Sequence, residues 1–274
     1  MLFRSPTTTR VHISARRHLL TLGLRFTERE LKTRFAGNIA GWAWALVAPL
    51  LLLGIYALVF GQVFRPRASD LGTDSYLLFV AIALWPWLMF SDGVTRGMMA
   101  IQANGSLVKK IAFPQILLVL AAVSAAFVQH LAGYAAVLVV LAVSGAGGTV
   151  LNWAGLPVVL GYLVILFVLT LGVAAFLASL QTLLRDVEQV VNAAMMMLHY
   201  LTPVLYPLSM IPVEYRHYFA WNPLAHIVAR IRESLLAGPQ VYAGDLAAMA
   251  VAAAACLVGY LMFQRLSPYF EDFL

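Results

Sequence analysis

Apolar, uncharged stretches of membrane-crossing length recur along the chain, separated by short segments where arginine, lysine, aspartate and glutamate gather. A helix needs about 20 mostly apolar residues to cross a bilayer. By that measure a first span runs from Phe35 to Phe64 and stops at Arg65 and Arg67. A second starts near Tyr76, is bent by Pro86, and carries Asp92 and Arg96 at its far end. No charged residue stands between Lys110 and Arg185, a run long enough for two crossings. Ser144-Gly-Ala-Gly-Gly148 splits that run into spans near Pro114–Val143 and Leu156–Leu180. A fifth span runs from Val190 to about Leu208 and a sixth from about Leu246 to Phe263. The pattern predicts an all-α, polytopic membrane protein with six transmembrane helices.

Two stretches break the rhythm. Before the first span, Leu20, Leu24, Leu31 and Phe35 fall on one helical stripe, with Arg29, Lys32 and Arg34 off it. That predicts an N-terminal amphipathic interfacial helix on the inner face, and Thr27 with Glu30 has the spacing of a capping box. The second stretch, Thr202 to Gly238, leaves an apolar span through Pro203, Pro207 and Pro212, crosses a charged and aromatic segment, and reaches Asn222-Pro223 and a new amphipathic run. Those pieces are too short or too charged to cross. Irregular backbone at membrane depth is tolerated only against protein or a water-filled cavity, so short re-entrant outer gate helices over a passage are expected. This points to a channel or transporter.

Composition narrows the class further. The mean hydropathy is +0.86, with 62% hydrophobic and only 11% charged residues, against about 25% charge in soluble domains. One membrane domain with short tails is expected: a cytoplasmic tail and amphipathic helix over 1–38, the transmembrane domain over 39–265, and a cytoplasmic tail over 266–274. The single cysteine, Cys256, excludes an intrachain disulfide. The net charge of +6 reads as orientation charge and contact with anionic membrane lipid rather than as nucleic-acid binding. Arg4, Arg10, Arg16, Arg17 and Arg25 precede any acidic residue, a composition shared with mitochondrial presequences, but the segment is expected to be a basic cytoplasmic tail. With the N-terminus inside, thirteen of the eighteen basic residues fall on inner segments, which places both termini in the cytoplasm. The six histidines show no metal-ligand spacing, and no metal site is expected. No Gly-Lys pair occurs, so the phosphate-cradling loop G-x-x-x-x-G-K-[ST] is missing. Energy is therefore expected from another subunit or a gradient. A gradient carrier usually needs ionisable groups at mid-membrane, for which His130 and His199 qualify; both read better as packed or passage-facing polar residues.

Several segments, taken in order, resemble one known family. They are R-E-L-K-T-R-F (Arg29–Phe35), G-W-A-W-A-L-V-A-P-L (Gly41–Leu50) and L-V-F-G (Leu58–Gly61), followed by L-W-P-W-L-M-F-S-D (Leu84–Asp92) and N-G-S-L-V-K-K-I-A-F-P (Asn104–Pro114). L-L-R-D-V-E-Q-V (Leu183–Val190), T-P-V-L-Y (Thr202–Tyr206), N-P-L-A-H (Asn222–His226) with Arg232, and R-L-S-P-Y-F-E-D-F-L (Arg265–Leu274) complete the set. The chain resembles the membrane subunits of type-2 ABC exporters that export polysaccharides (O-antigen, capsule and teichoic acid), most of all the O-antigen export permeases. It departs from the family pattern at Ala36-Gly37-Asn38-Ile39-Ala40 and in the extension before Arg16.

The resemblance implies a homodimer in the bacterial inner membrane, with the passage between copies and two copies of an ABC ATPase subunit below. ATP and magnesium would then belong to that ATPase, with no cofactor and no catalytic residue in this chain. Lipid-linked polysaccharide is the implied cargo. The loop holding Ser106, Leu107, Val108, Lys109 and Lys110 would be the coupling helix, with Ser106 as its cap, and Arg185 and Asp186 a minor contact. Tyr215, Tyr218, Trp221, Pro223, His226 and Arg232 would belong to the outer gate. Aromatic faces stack on sugar C–H faces, and weak repeated sites permit sliding. Trp42, Trp44, Tyr56, Phe60, Trp85, Trp87, Tyr200 and Tyr206 are candidates for the translocation path, about half of them expected to face it. Small residues (Ala247, Ala248, Ala250 and Ala252–Ala255) are expected to let the sixth helix pack closely. Two rivals remain open. One is a type-2 exporter of small drugs or lipids, which would tolerate leucine at Trp42, Trp85 and Tyr206. The other is an intramembrane enzyme on lipid-linked sugars, which would need a paired acid and base.

Overall fold

In a computed structural model the chain is described at residues 8–35, 43–64, 71, 73, 75–144, 151–240 and 242–274. Every regular element among these is helical. They are α1 (Thr8–Phe35), α2 (Ala43–Tyr56), α3 (Tyr76–Ala103), α4 (Gly105–Lys110), α5 (Ile116–Ser144), α6 (Leu156–Leu183), α7 (Val187–Leu201), α8 (Val213–Ala220), α9 (Pro223–Leu236), α10 (Ala243–Leu266) and α11 (Phe270–Phe273). A π-helical stretch, Ala57–Phe64, continues α2.

Four stretches among the described residues are long and apolar enough to cross a membrane: Tyr76–Ala103, Ile116–Val143, Trp153–Leu183 and Gly244–Phe273. The first and fifth predicted spans take a different form. α2 is 14 residues long before its helix widens, and α7 is 15 residues long, about 22 Å. The reason lies in the sequence beyond α7. Pro203 lacks an amide donor, so the helix ends at Leu201 and the chain continues irregularly through Tyr206.

α3, α5 and α6 form the centre, with α10 laid along α6 and α1 along α5. Small residues set these distances. A Cβ on Gly97 of α3 would come within 2.7 Å of Ala174 on α6. A side chain at Gly172 would strike the backbone of Ala255 and Cys256, and one at Gly259 the carbonyl of Gly172, so α6 and α10 cross with their main chains nearly touching. The expected alanine stripe divides. Ala248 and Ala252 are buried with Gly259 and Phe263 at helical spacing, whereas Ala247, Ala250, Ala253 and Ala254 are exposed.

The capping box expected at Thr27 is corrected. α1 already runs from Thr8, so Thr27 lies mid-helix and its hydroxyl donates to the Gly23 carbonyl at 3.0 Å. α1 turns Phe26 onto Phe113 and Gly23 toward Leu117 of α5, leaving Leu20 and Leu24 exposed. On its outer surface Lys32 pairs with Glu28 at 2.6 Å and holds that carboxyl below its usual range. Trp42 and the Ala36–Ala40 segment lie outside the described residues.

Candidate translocation groove and inner docking face

α2, α3 and α7 border an open cavity of about 340 Å³ walled by Leu52, Tyr56, Trp87, Met195, His199 and Tyr200 among others. A second cavity of about 500 Å³ is lined by Arg34, Trp44, Asp92, Arg96, Gln129 and His130, toward the C-terminal end of α3. Leu52, Leu88 and Ser91 wall both cavities, so the two form one groove along α3.

Rings wall one end of this groove and continue from it into the core. The His199 ring is 5.1 Å from that of Trp87 and stacks on that of Tyr56 at 6.0 Å. The Tyr56 hydroxyl is 3.1 Å from His199 Nε2. The ladder continues from Tyr56 to Phe60 at 6.3 Å, to Tyr76 at 6.4 Å and to Phe79 at 6.2 Å. It ends on Arg232, whose Cζ lies 3.6 Å over the Phe79 ring.

The expected passage residues therefore separate. Trp44 and Tyr200 are exposed, Tyr56, Phe60 and Tyr206 half-buried, and Trp87 nearly buried at the groove wall. Trp85 is 0% exposed and packs toward Gly133 of α5, so it gives no ring face to the groove. Two residues along a helix turn the side chain by about 200°, which is why Trp85 and Trp87 look opposite ways.

At the other end of the groove Asp92 gathers three partners. Arg34 of α1 donates to it at 2.5 Å, Arg96 at 2.6 Å one turn along α3, and His130 of α5 lies at 3.1 Å. A carboxylate at this depth requires such compensation. The Asp92–Arg96 spacing was visible as a helical i, i+4 pair, but no sequence signal ties Arg34 or His130 to it across 58 and 38 residues.

The outer segment folds as α8 and α9. Asn222 caps α9 by accepting from the Leu224 amide at 3.0 Å, while its amide donates to the Leu201 carbonyl and the Thr202 hydroxyl, both at 3.1 Å. Pro223 takes the first helical position, where its missing donor costs nothing. Tyr215, Tyr218 and Trp221 are exposed. Arg232 is not: it is buried and donates to the carbonyls of Phe79 at 3.2 Å, Pro203 at 3.1 Å and Val204 at 3.0 Å. It serves as an internal tie holding the irregular segment. His226 joins a network not anticipated from sequence, 3.2 Å from Asp245, which also accepts from Tyr162 and from Arg230. Tyr242 donates to Glu233 at 2.6 Å, which pushes its own pKa up.

After α3, α4 buries Val108 and presents Ser106, Lys109 and Lys110, with Leu107 half-buried. The cap is Asn104 rather than Ser106. Asn104 nevertheless makes no side-chain capping bond, because its amide donates to the Ala100 carbonyl at 2.9 Å and its oxygen accepts from Arg29. Arg185 and Asp186 are exposed on the turn between α6 and α7. Gln102 donates to the Gln181 carbonyl at 2.8 Å, tying the two inner loops side by side. Among the described residues, no cluster of histidine, cysteine, aspartate and glutamate has the makings of a metal site.

Comparison with known proteins places this geometry. The family described as ABC-2 type transporter matches residues 24–236. The chain belongs to the ABC-2 type transporter family. Among its relatives, an O-antigen export system permease protein RfbA of Klebsiella pneumoniae is 27% identical over 259 residues, covering 94% of this chain and 96% of the relative. One of the same name from Myxococcus xanthus is 30% identical over 209 residues, covering 75% and 76%. The polysialic acid transport protein KpsM of Escherichia coli is 27% identical over 214 residues, covering 77% and 79%. This ABC-2 transporter chain is thus a multi-pass membrane permease, and the family match spans the groove, α4 and the α8–α9 segment together.

Proposed function

We propose that this chain is the permease subunit of an ATP-driven exporter that moves lipid-linked polysaccharide, of O-antigen type, across the bacterial inner membrane. The observation that carries the reading is the near full-length match to permeases named for O-antigen export, 94% of one chain on 96% of the other. The ring-lined groove of α2, α3 and α7 agrees with it. Two copies would face each other through α2 and α7, joining two grooves into one passage. Trp44, Tyr56, Phe60, Trp87, Tyr200 and Tyr206 would offer stacking faces along it.

Six crossings follow if α2 with its π-helical stretch, and α7 with its irregular extension, complete the four long spans. α1 would lie at the inner interface, α8 and α9 would re-enter from outside, and both termini would be cytoplasmic. The tail and amphipathic helix (1–38), the transmembrane domain (39–265) and the terminal segment (266–274) are the working divisions. Two ABC ATPase subunits, carrying ATP and magnesium, would seat on Ser106, Lys109, Lys110, Arg185 and Asp186. Tyr215, Tyr218 and Trp221 would line the exit, held by Pro223, His226 and Arg232. This chain would do no bond chemistry itself.

The test is transport in membrane vesicles holding this chain and its ATPase. Glycan should reach the far side only while ATP is hydrolysed. Movement at the same rate without hydrolysis overturns the reading.

A further inference from the structure

The motif R-L-S-P-Y-F-E-D-F-L has no part in the groove, yet it folds with care. After α10 the chain turns through a 3-10 turn, Ser267–Tyr269, and α11 carries it back beneath the inner ends of the helices. Phe270 is fully buried, edge-on to Phe263 at 5.3 Å, in one apolar cluster with Ile101 and Val108. Leu274 packs on the first residue of α4: a Cβ at Gly105 would lie 3.5 Å from it. Val108, the buried anchor of α4, therefore rests in part on this segment.

The opposite face of the segment is bare. Tyr269, Glu271, Asp272 and Phe273 are exposed. Phe273 and Leu274 also wall a polar cavity of about 290 Å³ with Gln102, Gln181, Arg185 and Glu188. The segment thus joins α4 on one side and the α6–α7 turn on the other, filling the gap between the two inner loops.

We infer that Ser267–Leu274 is a third part of the ATPase-docking surface: its buried side positions α4, and its exposed side meets the same subunit. This rests on the exporter reading above. Continuity with α4 supports it, since Leu274 packs on the first residue of α4, about one helical turn before Lys109 and Lys110. Charge selects protein over lipid. An anionic membrane surface would be drawn by the two lysines and repelled by the two acids, whereas a folded partner can offer both signs with an apolar recess for Phe273.

The experiment uses the complete transporter in membranes. A photo-crosslinking residue at Phe273 should form an adduct with the ATPase; adducts with lipid alone overturn the inference. The exposed triple variant Glu271→Lys/Asp272→Lys/Phe273→Ser, which disturbs no buried contact, should retain about tenfold less ATPase on purification at an unchanged permease level. Phe270→Ala should act in the same direction by loosening α4; if that variant fails to accumulate, the exposed triple decides. A comparison variant, Lys109→Glu/Lys110→Glu, separates the two readings. If it loses the ATPase while the triple variant keeps it, the inference falls and the exporter reading stands. Export that continues without hydrolysis in the unaltered transporter removes both.

Discussion

Arg232 donates to three main-chain carbonyls and lies over the Phe79 ring, buried throughout. The two carbonyls it reaches beyond α7 belong to backbone that Pro203 has removed from helical pairing. Each buried group left unpaired costs roughly 1–3 kcal/mol. Arg232→Leu is therefore expected to open the 202–208 segment to protease in intact vesicles and to lower the permease level several-fold. Arg232→Lys should recover only part of this, because one ammonium cannot replace the fork of guanidinium donors. An unchanged digestion pattern in the leucine variant contradicts the assignment. The break itself was readable in advance from Pro203, Pro207 and Asn222-Pro223, as was the amphipathic run of α9. What held the break was not readable, since one of its carbonyls belongs to Phe79, 153 positions from Arg232. The same limit applies to Asp92, two of whose three partners arrive from other helices.

At the level of elements, apolar length located every long span, Tyr76–Ala103 in spite of its Asp92 and Arg96, because burying a helix in lipid demands it. At the first and fifth the apolar run outlasts regular α-helix, which gives way to a π-helical stretch after Tyr56 and ends before Pro203. Local capping signals failed for a related reason. Thr27 and Ser106 had the right chemistry, but neither stands at a helix start. Helix crossings depend on glycine. With Gly172 against the backbone of Ala255 and Cys256, Gly172→Leu must push α10 away from α6. The expected result is a melting temperature lowered by about 5 °C or more in detergent. Gly161, with open space around it, provides the comparison: leucine there should leave the melting temperature within about a degree.

For the whole molecule, the choice between a sugar passage and an aliphatic one turns on the groove. Composition named the rings without saying which way each points, and Trp85, fully buried, shows why counting them was insufficient. The decisive set is now Trp44, Tyr56 and Tyr200, all lining the groove cavities. A ring face is worth about 1 kcal/mol, so leucine at any one of them should slow glycan export roughly fivefold. An exporter of small drugs or lipids would keep its rate. Equal efflux of an amphipathic drug and loss of no glycan transport across the three variants would favour that rival. The tie between Arg232 and the end of α7 also bears on biogenesis. The ribosome releases Pro203 and Val204 about thirty residues before the guanidinium that pairs their carbonyls, so that segment is unpaired when it first emerges. Pairing of those carbonyls therefore waits on α9, which makes residues 202–236 a single late-closing unit of assembly.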